Sequence, residues 1–232
     1  MDELIDVSIV GEPVVYGAGL FALLIVVFAT ALASPIVSVA HEGGHMVMAV
    51  LTFRGFSSWR YTDKGTETRG VKTGWGPGLL LTLVAGFLTP PLLGVAGAAV
   101  LAGGNAWGVL VVAAILLFGA FLYAGEVSAN IFTALLLGAV LLVLWRGSSL
   151  LQLTVAAGIV WLLLLGGVYQ AVRMSRAEKT CAAQMARATL IPTIVWQGFW
   201  LAVALVSLYA GARLLFVGDG WPDGVWPFDE RV

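Results

Sequence analysis

The chain has 232 residues, 60% of them hydrophobic and 11% charged, with a mean hydropathy of +0.98. A soluble domain carries about 25% charged residues, so lipid rather than water is the expected solvent. A net charge of −1 gives no basic field for nucleic acid, and the single cysteine, Cys181, excludes an intrachain disulfide.

The N-terminal residues include Asp2, Glu3, Asp6 and Glu12, whereas a secretory signal begins with positive charge. Residues 1–232 are therefore expected to form one membrane-embedded domain. A span needs about 20 mostly apolar residues, each rising about 1.5 Å. Apolar stretches run through 14–53, 79–102, 106–124, 131–145, 150–172 and 193–217. The first would be about 60 Å long as a straight helix, twice the hydrocarbon thickness. A break is expected, and Ser34-Pro35 is the obvious place. Either a kinked helix crosses once and runs on past the surface, or two segments form a hairpin.

Charge bears on that choice. With one crossing, segments 54–77 and 173–192 and the link around Glu126 share a side. That side holds Arg54, Arg60, Lys64, Arg69, Lys72, Arg173, Arg176, Lys179 and Arg187, nine of the twelve basic residues. The positive-inside rule makes it cytoplasmic. With a hairpin, the acidic N-terminus lies inside instead. The single crossing is favoured. The polar segment 54–77 reads as a short hairpin with a tight turn near Lys64-Gly65, and Trp59 and Trp75 suit a membrane interface. The expected fold class is all-α: a polytopic transmembrane helix bundle of about six spans, with a short β-hairpin-like loop.

The chemistry sits just before that loop. In AHEGGHMVMAV, His41 and His45 are the only two histidines. Four residues apart on a helix, they stack on one face and offer two nitrogens to one zinc. Glu42 follows the first and reaches a water activated by the metal, as general base. An ionisable residue within a span is costly and by default functional. Gly43 and Gly44 either let a substrate or helix approach the metal or serve helix packing.

A HExxH within an apolar segment, followed by a polar hairpin and further spans, resembles the site-2 protease family of intramembrane zinc metallopeptidases. It looks most like the small M50B-like branch common in actinobacteria. The resemblance extends over VAHEGGHMVMAVLTFRGFSSWRY, GPGLLLTLVAGFLTPPLLG, ANIFTALLLGAV and QMARATLIPTIVW. It implies a zinc cofactor and a transmembrane or membrane-proximal protein substrate. It also implies a bacterial cell membrane, and the charge count above places the active site toward the cytoplasm.

A catalytic zinc takes three protein ligands and keeps one open position. Most of the family supplies the third from an Asn-x-x-Pro…Asp-Gly segment, whose nearest counterpart here, Asn130-Ile131-Phe132-Thr133, has only the asparagine. In the small branch the corresponding stretch resembles Ser-Asp-Ala-Asp, and this chain reads Thr180-Cys181-Ala182-Ala183. Glu126 and Cys181 are the candidates for the third ligand; Asn130 and Glu178 share their side. Asp63 and Glu67 read as solvated hairpin residues. Two rival functions follow: an inactive family member acting as a membrane scaffold, and a metal or proton transporter. The second is disfavoured because no other span carries a mid-membrane charge.

Overall fold

In lipid, a backbone N–H or C=O without an internal partner is costly, so apolar stretches fold as helices. The computed structural model describes residues 13–62, 65–71, 76–173 and 181–217. Among these, in chain order, are α1 (Pro13–Phe28), α2 (Thr30–Leu51), β1 (Ser58–Thr62), β2 (Gly65–Arg69), α3 (Pro77–Ala102) and α4 (Ala106–Leu122). Then come α5 (Val127–Arg146), α6 (Ser149–Val172), α7 (Cys181–Thr189) and α8 (Thr193–Val217). The fold is the expected all-α bundle with one two-stranded hairpin.

Four helices, α3, α5, α6 and α8, are long and apolar enough to cross a membrane. Helix α4 has 17 residues, about 25 Å, at the short limit for a span. Helices α1 and α2 together pass the same test but are bent by 96°. The expected six crossings thus require both α4 and the bent pair.

The bend departs from the expectation. It lies at Ala29, between α1 and α2, and not at Ser34-Pro35, which α2 runs through. A proline ring clashes with the carbonyl four residues earlier. For Pro35 that residue is Ala31, so its disturbance falls one turn upstream. An angle of 96° is neither a straight span nor the reversal of a hairpin.

The largest apolar cluster joins α1, α3, α4, α5, α6 and α8 through Val15, Leu101, Leu110, Val140, Val160, Trp161, Leu164 and Leu215. Lipid is as apolar as leucine, so close packing drives helix association there. Small residues provide it: a Cβ on Gly94 would stand 2.7 Å from Leu164 Cγ, and one on Gly211 2.6 Å from Leu164 Cδ1. Hydroxyls within the helices bond back along their own helix, as Thr82 does to the Gly78 carbonyl and Thr133 to that of Ala129.

The opposite end gathers the polar pieces. Strands β1 and β2 pair antiparallel, with Trp59 opposite Thr68 and Arg60 opposite Glu67. The turn at 63–64 lies outside the described residues. Trp59 was expected at a membrane interface but is fully buried, packed with Val39, Met46, Ala120 and Ala129. Its indole N–H donates to the Ala120 carbonyl at 2.7 Å. Its backbone N–H donates to Tyr123 O, and its carbonyl accepts from Gly125 N–H. An indole is buried when its N–H finds a partner, and here the end of α4 supplies one. Trp75 lies outside the described residues. The hairpin is thereby fixed to the α4–α5 link, so the hairpin and the link around Glu126 share one end, as laid out for the single crossing.

Candidate metal centre

Helix α2 carries His41, Glu42 and His45, and small residues set its closeness to α3 and α6. A Cβ on Gly44 would collide with Thr89 and stand 2.8 Å from the Ala85 carbonyl, while Val37 of α2 packs directly on Gly166 of α6. Gly44 therefore serves helix packing. Gly43 has nothing within 4 Å of its Cβ position. The 3.6-residue period then turns both imidazoles toward α3.

The two rings are buried, with their Nε2 atoms 3.0 Å apart. His45 Nδ1–H donates to the Thr82 carbonyl at 2.7 Å. A carbonyl only accepts, so this contact puts the proton on Nδ1 and leaves the Nε2 lone pair facing His41. A metal-binding histidine is commonly fixed in this way. His41 stands edge-on to Phe87, ring centroids 4.6 Å apart, and Phe87 stacks on Trp200. His41 Nδ1 is buried without a hydrogen-bond partner.

Helix α7 brings the third donor. Its Ala182 and Met185 are buried against Leu83, Ala171 and Trp200, and Trp196 of α8 donates to Thr189 Oγ1 at 3.1 Å. That seating leaves Cys181, the first residue of α7, with its Sγ 3.4 Å from His45 Nε2. Donor atoms of His41, His45 and Cys181 all lie within 4.8 Å of one another. Glu126, the other candidate, is not in this cluster. It accepts from the Ser128 hydroxyl at the start of α5, and Asn130 donates to the Ala124 and Glu126 carbonyls there. Glu126 is the residue that precedes α5, and Asn130 lies in its first turn. Glu67 is exposed and pairs with Arg60 at 3.2 Å. Asp63 and Glu178 lie outside the described residues.

Do these residues fit a zinc ion? Two imidazole nitrogens and one thiolate make a three-ligand set with one position left for water or substrate. Ligands sharing a tetrahedral zinc stand about 3.5 Å apart, close to the observed 3.0 and 3.4 Å. Gly86 of α3 completes the argument. A Cβ there would collide with the His45 ring and stand 2.8 Å from His41 Nε2. The cradle around the Nε2 atoms exists only because this position has no side chain, so the donor set and its space fit the ion.

Glu42 is 2% exposed, and the Thr68 hydroxyl of β2 donates to its Oε2. Thr68, Thr82, Gly86 and Phe87 were not singled out in the sequence. Each reaches the site from another element, and none carries a local pattern.

A family model described as Peptidase M50B-like matches residues 14–211. No curated protein and no solved structure matches the chain. The matched region spans every described helix but the first residue of α1 and the last turns of α8. The chain belongs to the M50B-like peptidase family.

Proposed function

We propose that the protein is an intramembrane zinc metallopeptidase that cleaves transmembrane or membrane-proximal protein substrates. The observation that carries this reading is the convergence of His41, His45 and Cys181 next to the buried carboxylate of Glu42, in a chain of this family. His41 and His45 would hold zinc through Nε2 and Cys181 through Sγ. When bound, zinc supplies a Lewis acid that makes water nucleophilic at neutral pH. The Glu42 carboxylate takes the proton from that water and returns it to the leaving amine. Thr82 holds the His45 ring in the tautomer that bares Nε2. Phe87 and Trp200 wall off the His41 side, which strengthens charge interactions by keeping water out.

A substrate helix must unwind before its peptide bonds are accessible. The hairpin suits a role in which it takes the unwound segment as an added strand. The outer edge of β1 is already engaged at Trp59 by Tyr123 and Gly125, so that role falls to β2. Arg54, Arg60, Arg69, Arg173 and Arg187 belong to the segments gathered at the site end. By the positive-inside rule this end faces the cytoplasm of a bacterial cell.

The test is elemental analysis and hydrolysis on the full chain purified in detergent. Wild type is expected to hold one zinc per chain. Glu42→Gln is expected to keep that zinc while hydrolysis of a fluorescent casein falls about 10²–10⁴-fold. A zinc-free wild type overturns the reading. Zinc retained with no hydrolysis by wild type favours a scaffold instead, and hydrolysis unchanged in Glu42→Gln removes Glu42 as the base.

A further inference from the structure

The hairpin does more in this structure than lie over the site. Alternation along β1 and β2 gives the pair two faces. Arg60 and Glu67 are paired to each other and exposed on one. Trp59 and Thr68, paired across the strands, occupy the other. Trp59 is sunk beside α4 by three hydrogen bonds, and Thr68 donates its hydroxyl to Glu42 Oε2. Slipping the register by one residue would turn Glu67 inward in place of Thr68, and the anchoring of Trp59 opposes that slip.

From this we infer that Thr68 is a positioning residue for Glu42. A continuous set of contacts runs from the Ala120 carbonyl through Trp59 and its partner Thr68 to the carboxylate. Threonine suits the task because its β-branch restricts χ1 and so aims the hydroxyl. A carboxylate on a flexible side chain is then held in one orientation beside the histidines, and its charge is met by a donor where water is scarce. The peptide-cleaving site therefore extends beyond the helix bundle to a hairpin of five-residue strands, and the base depends on that hairpin's register. This inference rests on the proposed function for the role of Glu42, but not for the contact itself.

The experiment uses Thr68→Val, nearly the same shape without the hydroxyl, and Thr68→Ser, which restores it. Thr68→Val is expected to keep zinc, leave KM for fluorescent casein within about twofold and lower kcat about tenfold to a hundredfold, the scale of one hydrogen bond to a charged group. Thr68→Ser is expected to recover most of kcat. An unchanged kcat in Thr68→Val, or equal loss in both variants, overturns the inference. A thermal cycle reads the contact without any activity. Thr68→Val is expected to lower the unfolding midpoint in wild type and not in a Glu42→Ala background. Equal shifts in the two backgrounds overturn the contact. Should wild type lack Glu42-dependent hydrolysis, the proposed function fails, and this cycle still decides the contact.

Discussion

Helix α3 meets two different environments within eight residues. At Gly86 the missing side chain makes room for the rings of His41 and His45; at Gly94 it makes room for Leu164 of α6. Both absences bring neighbours close, yet one accommodates imidazole donor atoms and the other a leucine. Between them lie Pro90 and Pro91, which have no N–H to offer the carbonyls of Gly86 and Phe87. The site half of α3 is thus tied to its neighbours by hydrogen bonds such as that from His45 to Thr82. The far half packs through Gly94, Ala98 and Leu101 into the largest apolar cluster. Stability and chemistry are spatially separated in this bundle, and substitutions in the two halves should separate in the same way.

The largest effect is expected where a donor atom itself is lost. Cys181→Ala removes one of the three proposed ligands, so zinc affinity should fall by more than the roughly 10–100-fold typical of losing an outer partner. Cys181→Asp should hold zinc, because two histidines and a carboxylate also form a catalytic set. Competition with a chelator measures both. Stoichiometric, tight zinc in Cys181→Ala would remove Cys181 from the ligand set.

Next comes the comparison within α3. Gly86→Ala places a methyl group against both rings and should weaken zinc by about 10–100-fold, as other displacements of a ligand do. Gly94→Ala presses on a leucine that can shift. It should lower stability by about 1–3 kcal/mol, the usual cost of overpacking, while zinc binding stays as in wild type. Zinc titration and thermal unfolding of both variants test the separation. It fails if Gly94→Ala loses zinc or Gly86→Ala keeps it.

Local pattern explains what the sequence revealed. HEGGH, the apolar stretches and the hairpin are each readable within a few residues, because helix period, span length and strand alternation are short-range properties. The third member of the donor cluster is not. Glu126 and Cys181 lie on the same side of the chain's path, and only the seating of α7 through Ala182 and Met185 separates them. Gly86, Thr82 and Thr68 were illegible for the same reason: a glycine, a carbonyl and a hydroxyl acquire roles only once another helix arrives. The bend was misplaced because Pro35 acts on the carbonyl one turn before it. Trp59 was read by its type, as an interface residue, when a carbonyl of α4 had made burial possible.

The smallest expected effect concerns Gly43, inside the motif itself. Gly43 and Gly44 are adjacent, but a 100° turn of the helix separates their directions. Gly44 faces the Ala85 carbonyl and Thr89, whereas the Cβ position of Gly43 has open space. Gly43→Ala should therefore leave zinc and casein hydrolysis unchanged. It should raise stability by at most about 1 kcal/mol through helix propensity. Gly44→Ala, with no room for its methyl group, should lower the unfolding midpoint under the same conditions. If Gly43→Ala instead reduced hydrolysis with zinc intact, the open face of α2 would be a path for substrate, and the chemistry would extend to the side of the helix that now faces away from α3.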